Sequence, residues 1–147
     1  MCNKDHNTSK QLLTVYEERS TCIRLQVAAI ITRSGRMIAS GWNGVPSGGH
    51  HCKDLFAGAT PEYIKEHHHA FSRENEIHAE PNALGFAARH GISVGGADMT
   101  ISLSPCLECA KLIRAAGIAN VFYKEEYDRD PEGIVFLQKY GIPTMKL

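Results

Sequence analysis

The residues best suited to chemistry in this sequence are a His-x-Glu motif at His78 and Glu80 and a Cys-x-x-Cys motif at Cys106 and Cys109. Imidazole and thiolate are preferred zinc ligands, so His78, Cys106 and Cys109 together provide three ligands for one ion. Tetrahedral zinc with three protein ligands keeps a fourth position for water, as catalytic sites do. We therefore predict a catalytic zinc site, with Glu80 as the carboxylate that moves protons.

Both motifs are predicted to lie where helices begin. Helical spacing places Cys106 and Cys109 on one face of a helix, in the first turn, where the helix dipole lowers thiol pKa values. Residues two apart in a regular helix point about 200° apart, so His78 and Glu80 can converge only at a helix entrance. Pro81 supports this position, because proline is tolerated in the first helical turn but not in the interior.

Each motif alone has other interpretations. Cys-x-x-Cys also occurs as half of a structural zinc ribbon or as a redox pair, and an isolated His-x-Glu carries no information. The combination, with Pro105 before the first cysteine and a strand-then-helix context, is the signature of zinc deaminases. We therefore favour a catalytic zinc over a structural zinc or a thioredoxin-like pair.

Length and composition indicate one soluble domain spanning residues 1–147. The chain carries 16 Lys and Arg residues against 16 Asp and Glu residues, so its formal net charge is zero and it lacks the basic field that supplies non-specific nucleic-acid affinity. No apolar run approaches the ~20 residues of a membrane span, and residues 1–6 do not resemble a signal peptide. Five irregularly spaced cysteines suit a reducing compartment. We expect a cytoplasmic protein without nucleic-acid or membrane partners.

Helices and strands are predicted to alternate over most of the chain. This alternation in the C-terminal two thirds requires parallel strands covered by helices, and an initial hairpin makes the sheet mixed, so the fold class is α/β. The long polar loop 43–59 is expected to carry function. The predicted helices are 9–19 with Ser9 as N-cap, a helix with Thr60 as N-cap and Pro61 at its first position, 77–90 ended by Gly91, 104–117 and 131–140. The predicted strands are 27–32, 37–42, 99–103, 121–123 and 144–147.

Four motifs resemble those of deoxycytidylate (dCMP) deaminases, above all the T-even phage and bacterial members. They are Thr21-Cys22, residues 41–49 (GWNGVPSGG), 75–80 (NEIHAE) and 103–106 (LSPC). The similarity extends from about residue 10 to residue 140, which is nearly the whole chain. Pro81 and Ala28 depart from the usual pattern of a larger apolar residue and a glycine, but neither removes a chemical group.

The resemblance implies the cytidine deaminase fold, with three α/β/α layers around a central mixed five-stranded sheet. It implies zinc-dependent hydrolysis of dCMP to dUMP and ammonia, which supplies dUMP for thymidylate synthesis, in the host cytoplasm if the protein is phage-encoded. Asn43 resembles the asparagine that such enzymes point at the sugar hydroxyl. The alternative is that Asn43 is an ordinary turn residue beside Gly44.

The substrate phosphate needs cationic or N–H donors, for which Arg24, Tyr127 and the glycine-rich residues 41–49 are candidates that the sequence does not rank. Ala79 and Ser104 are also expected to contact the substrate.

A second, structural zinc site is also implied by the resemblance. Its ligands would be Cys22, Cys52, His68 and Glu76, whose types suit zinc but which are scattered along the sequence. From the residues alone, Cys22 would be a core residue and His68 one of a solvated run at 67–69.

Residues 41–49, here called the glycine-rich loop, resemble the effector loop of these enzymes. The resemblance implies that dCTP activates the enzyme and dTTP inhibits it, with magnesium, in a homohexamer. Glycines allow backbone N–H groups to approach phosphates, although a glycine-rich loop alone is weak evidence. The expected effector contacts are Gly41, Asn43, Gly44, Gly48 and Gly49.

Two alternatives remain at this point. One is a tRNA adenosine or free-base deaminase of the same chemistry, which would be expected to carry a basic surface that this neutral chain lacks. The other is a non-catalytic zinc-binding module used for assembly, which would not need Glu80.

Overall fold

The computed structural model describes residues 3–147, without the side chains of residues 3–5, so Cys2 lies outside the described residues. Six helices and five strands are found in this range. They are α1 Asn3–Glu17, β1 Ala28–Arg33, β2 Arg36–Trp42, α2 Cys52–Leu55, α3 Pro61–Asn75, α4 Ala79–Arg89, β3 Asp98–Leu103, α5 Leu107–Ala115, β4 Asn120–Glu125, α6 Glu132–Lys139 and β5 Thr144–Lys146.

The five strands form one mixed sheet in the order β2-β1-β3-β4-β5. Strand β1 pairs antiparallel with both β2 and β3, whereas β3, β4 and β5 run parallel. The predicted mixed five-stranded sheet is therefore confirmed, and the α5 and α6 crossovers connect its parallel strands.

Helices cover the two faces of the sheet separately. On one face, Leu13 of α1 packs against Ala28 and Ile30, with Leu12 and Tyr16 beside them, as the helical spacing predicts. On the other face, α4, α5 and α6 enclose the larger core, which includes the alternate β1 residues Ala29 and Ile31. The period-2 alternation of strand side chains accounts for this division of β1 between two cores.

Two local predictions are wrong. Ser9 does not cap the first helix, because α1 begins at Asn3 and Ser9 lies inside it, only 4% exposed. The first turns of α1 are polar, so they lack the apolar periodicity from which its start was predicted. The loop 43–59 also contains the short helix α2, which begins at the fully buried Cys52.

The helix boundaries near the site follow the expected chemistry. Thr60 caps α3 by accepting a hydrogen bond from the Tyr63 N–H, and Gly91 follows α4 with a positive φ of 66°. Within residues 3–147, none of the helices combines the length and the apolar character that crossing a membrane requires.

Close packing of β2 on α4 places the start of α4. A Cβ atom at Gly41 would overlap the Ala83 nitrogen and lie 2.6 Å from the Ala79 carbonyl oxygen. Glycine at this position therefore lets the sheet contact the helix that carries Glu80.

Candidate metal and catalytic site

The ends of two helices bring together a cluster of three potential ligands, here called the first cluster: His78, Cys106 and Cys109. His78 is the N-cap of α4, Cys106 is the N-cap of α5, and Cys109 is the third residue of α5. Neither N-cap side chain makes a capping hydrogen bond. Their ring and sulfur atoms are directed toward each other instead of toward their own helices.

The separations within the first cluster fit zinc. The His78 Nδ1 atom lies 3.7 Å from the Cys106 sulfur and 3.4 Å from the Cys109 sulfur. Zinc bonds of about 2.3 Å to sulfur and about 2.0 Å to nitrogen, at a tetrahedral angle, place the two ligand atoms about 3.5 Å apart. The three residues are therefore spaced to hold one zinc ion and leave a fourth position open.

The electrostatics of the first cluster favour a cation. Hydrogen bonds from Cys109 and then His78 lower the pKa of Cys106 to about 4, which favours the thiolate form of this sulfur. The hydrogen bond to Cys106 in turn raises the pKa of His78 and, together with burial, that of Cys109. The positive ends of α4 and α5 also converge here, which favours the thiolate of Cys106, whereas the predicted lowering of the thiol pKa is wrong for Cys109.

Glu80, the second residue of α4, lies beside the first cluster and is only 4% exposed. Desolvation by burial raises the pKa of its carboxyl group, while the charge of His78 opposes this change. A carboxyl group with a raised pKa accepts and releases protons closer to neutral pH than an exposed one. Glu80 thus has the environment of a proton-transfer group.

A cavity of about 470 Å³ joins these groups to solvent. It is lined by all five residues expected to contact substrate: Arg24, Asn43, Ala79, Ser104 and Tyr127. Five further polar residues at the cavity were not predicted, because no local pattern distinguishes them from ordinary surface residues: His69, Ser72, Arg73, Arg129 and Asp130.

Asn43 is held rigidly in the cavity wall. Its Oδ1 atom accepts hydrogen bonds from the Ser20 hydroxyl (2.7 Å) and the Val27 N–H (2.9 Å), and its Nδ2 donates to the Leu25 carbonyl (2.7 Å). An amide nitrogen has two protons, so the second N–H of Asn43 stays available to a ligand.

A second cluster consists of Cys22, Cys52, His68 and Glu76, whose ligand atoms all lie within 4.8 Å of one another. The Cys22 sulfur is 3.2 Å from the His68 Nε2 atom. The Glu76 Oε2 atom accepts from the Ser72 hydroxyl (2.6 Å), while its Oε1 atom is buried and has no hydrogen-bond partner among the described residues. A buried carboxylate oxygen without a partner is costly, and a metal ion would satisfy it.

Protonation at the second cluster follows its burial. Burial lowers the pKa of His68, which keeps the imidazole in the neutral form that binds metals. Burial also raises the pKa of the Cys52 thiol to about 11, so this sulfur ionises at neutral pH only beside a cation. Four protein donors of these types could hold one zinc ion in a closed site.

The two clusters are joined by the short segment from Glu76 to His78. Its middle residue, Ile77, exchanges two backbone hydrogen bonds with Gly44, of 2.9 and 3.1 Å. The glycine-rich loop therefore holds the segment that carries one ligand of each cluster.

The predicted effector residues are brought only partly to the surface. Gly41 is buried between β1 and α4, and the backbone of Gly44 is bonded to Ile77. Gly48 and Gly49 are exposed, and Gly48 has a positive φ of 96° with no neighbour within 4 Å of an added Cβ atom.

Comparison with known proteins agrees with this arrangement. The family model for the cytidine and deoxycytidylate deaminase zinc-binding region matches residues 2–125. A deoxycytidylate deaminase of Enterobacteria phage T4 is 37% identical over 156 residues, which cover 86% of this chain and 81% of the relative.

Two solved structures of the dCMP deaminase from cyanophage S-TIM5 also match. The apo form is 30% identical, with a TM-score of 0.80 and full coverage of both chains. The complex with dCMP and dUMP is 33% identical, with a TM-score of 0.82 and coverage of 100% of this chain and 99% of that one.

Proposed function

Because this chain belongs to the cytidine and deoxycytidylate deaminase family, we propose that it hydrolyses dCMP to dUMP and ammonia. One observation supports this most strongly. His78 and Cys106 of the first cluster and the buried Glu80 line one cavity of about 470 Å³, together with arginines that form no ion pair among the described residues, and this suits a small anionic nucleotide. Zinc at the first cluster would supply Lewis acidity at its open fourth position.

Glu80 is proposed to move the protons of the reaction. Hydrolysis adds a water oxygen to C4 of cytosine and releases the 4-amino group as ammonia, so one proton goes to ring N3 and one to the departing nitrogen. Glu80 is buried next to the ligands, where its raised pKa lets it accept the water proton and then deliver it.

The substrate phosphate is proposed to bind at the exposed rim of the cavity. The side chains of Arg24, Arg73 and Arg129 line it, and none of the three forms an ion pair within the described part of the chain. His69 and Tyr127 lie at the same cavity. Guanidinium groups bind phosphate with paired N–H donors, so this rim favours a nucleotide over a nucleoside.

The sugar and base would contact the fixed inner wall. The free N–H of Asn43 is proposed to donate to the sugar hydroxyl, because its other three hydrogen bonds hold the amide in place. Ala79 and Ser104 line the inner cavity beside Glu80 and are proposed to contact the base.

We also propose that the second cluster holds a structural zinc ion. Its four donors come from the segment after α1, from α2 and from α3 with its end, so one ion would connect three parts of the chain. The unpartnered Oε1 atom of Glu76 supports this assignment. His67 and His69 provide matched controls for His68, because both are exposed on the same helix.

Regulation is proposed from the resemblance of the glycine-rich loop to the effector loop of dCMP deaminases. In this proposal dCTP, with magnesium, activates and dTTP inhibits, in a homohexamer that supplies dUMP for thymidylate synthesis. The exposed Gly48 and Gly49 are the part of the loop that a triphosphate could approach. Gly58 offers a matched control position, since it too has a positive φ (74°) and open space around it.

The test of the activity is ammonia release from dCMP, cytidine, cytosine, adenosine and tRNA, measured side by side, with the nucleotide product identified. We expect dCMP to be preferred and dUMP to be formed. A preference for adenosine in tRNA or for a free base would overturn the proposal. Absence of turnover on all five, with zinc bound, would favour a non-catalytic module.

A further inference from the structure

Residues 125–133, here called the supporting segment, run along residues 104–107, which carry Cys106. Two hydrogen bonds attach the beginnings of the two segments. The Ser104 N–H donates to the Glu125 carbonyl (2.8 Å), and the Tyr127 N–H donates to the Ser104 hydroxyl (2.8 Å).

Asp130 attaches the ends of the two segments and caps two helices. N-cap side chains usually accept a hydrogen bond from their own helix, but the Cys106 sulfur faces His78 instead. The Asp130 Oδ2 atom accepts from the Leu107 N–H (3.0 Å), and its Oδ1 atom accepts from the Glu132 N–H (3.2 Å). One carboxylate thus accepts a hydrogen bond from the first N–H group of α5 and from that of α6, and so links the two helices.

Gly133 allows α6 to contact the backbone of the Cys106 segment. It is buried, and a Cβ atom there would overlap the Pro105 carbonyl oxygen and lie 2.8 and 2.9 Å from the carbonyl carbons of Pro105 and Cys106. Backbone atoms cannot move aside as the end of a side chain can, so a larger residue must displace the peptide. Gly85 in α4 differs, because an added Cβ atom meets no atom of the described residues within 4 Å.

We propose that Asp130 and Gly133 are positioning residues that fix the Pro105–Cys106 peptide, and with it the Cys106 sulfur, for metal binding at the first cluster. The inference rests on the proposed function, in which this cluster holds zinc. Loss of a group that orients a metal ligand typically changes metal affinity or activity 10–100-fold, which sets the expected size.

The experiment compares Gly133→Ala with Gly85→Ala in the full chain, since each adds one methyl group to a helical glycine. Zinc affinity is measured by chelator competition, and the ligand geometry by the visible spectrum after Co²⁺ replaces zinc. Gly133→Ala is expected to weaken one metal ion per chain 10–100-fold, shift the cobalt bands and lower kcat for dCMP, with KM within twofold. Gly85→Ala is expected to match the wild type in all four measurements.

Asp130→Asn provides a second variant that decides the question if Gly133→Ala does not fold. Asparagine has one acceptor oxygen, so one of the two N–H groups loses its partner. We expect metal affinity at the first cluster to fall about tenfold, with the cobalt bands shifted in the same direction as in Gly133→Ala. Asp128→Asn, at an exposed position of the same segment, is the control and is expected to leave both unchanged.

The inference would be overturned if the folded variants had the metal affinity and the cobalt spectrum of the wild type. A lower melting temperature with both of these unchanged would mean that Asp130 and Gly133 have a purely structural role. The metal measurements do not use dCMP. A wild-type protein that binds zinc but does not turn over dCMP would therefore overturn the proposed activity while the variants still test the positioning role.

Discussion

Replacement of Glu80 by glutamine is expected to remove nearly all turnover and to leave the fold and zinc content intact. The side chain is 4% exposed, and glutamine has almost the same volume, so the substitution opens no cavity and forces no overlap. Burial already raises the pKa of Glu80, which means that the site disfavours the charged form. A neutral amide therefore removes a buried charge, and we expect the melting temperature not to fall.

The size of the loss follows from the role of the carboxyl group. General acid–base catalysis by one positioned group contributes roughly 10²–10⁴-fold, or about 3–5 kcal/mol of the activation barrier at 1.36 kcal/mol per tenfold. Glu80 is proposed both to accept and to deliver protons, and glutamine does neither. We therefore expect kcat for dCMP to fall toward the upper end of that range.

The assay is steady-state ammonia release at saturating dCMP, beside metal analysis of the same preparations. Glu108→Gln is the matched control, since Glu108 lies in the first turn of α5 but its side chain is 78% exposed. This control is expected to retain wild-type kcat. Glu80→Gln with more than a tenth of the wild-type kcat would refute the proton-transfer role. Loss of one zinc ion in Glu80→Gln would refute the proposal that Glu80 transfers protons without being a zinc ligand.

Metal analysis is expected to give two zinc ions per chain in the wild type and one in Cys52→Ser or His68→Ala, whereas His67→Ala keeps two; a single zinc in the wild type would contradict the second site. Arg24→Gln removes a charged hydrogen-bond donor worth about 1.5–3 kcal/mol, so the KM for dCMP should rise about 10–100-fold. Turnover of deoxycytidine, which has no phosphate, should stay unchanged, and equal effects on both substrates would argue against phosphate contact. Gly48→Val should abolish activation by dCTP and inhibition by dTTP. Thermodynamic linkage requires dCTP and dCMP to strengthen each other's binding by the same factor, typically about 5–150-fold. Binding of dTTP without any change in dCMP affinity would disprove the coupling. Zinc affinity of the first cluster should decrease as pH falls, because a histidine and a thiol with raised pKa values must release their protons to bind the metal; binding titrations that give one affinity across pH 5–8 would contradict this protonation pattern.

The sequence predicts the chemistry of the first cluster from two short motifs, whose combination is typical of zinc deaminases although neither motif is specific alone. His78 and Cys106 are helix N-caps, and Glu80 and Cys109 follow them in the first turns, so the geometry of a helix entrance constrains how each pair is presented. Pro81 further restricted the His-x-Glu motif to a helix entrance, and the structure has His78 as the N-cap of α4. The mixed sheet followed in the same way from the alternation of strand and helix patterns.

Only the folded structure shows which of the three histidines at 67–69 is the buried one. Residues 67–69 are identical in type, and only the packing of α3 decides which one turns inward. In the structure His68 is 7% exposed, while His67 and His69 face solvent. A resemblance to known enzymes suggested the same choice, but the local sequence carried no physical signal for it.

The sequence by itself determined which chemical groups this protein has and which short motifs can present them together. The tertiary structure alone decided the contacts between distant segments: the convergence of Cys22, Cys52 and Glu76 in the second cluster, and the packing of Asp130 and Gly133 against the Cys106 segment. The physical reason is range. Motif geometry is set by backbone dihedral angles over a few residues, whereas these contacts depend on how whole helices pack on the sheet, which no local periodicity encodes.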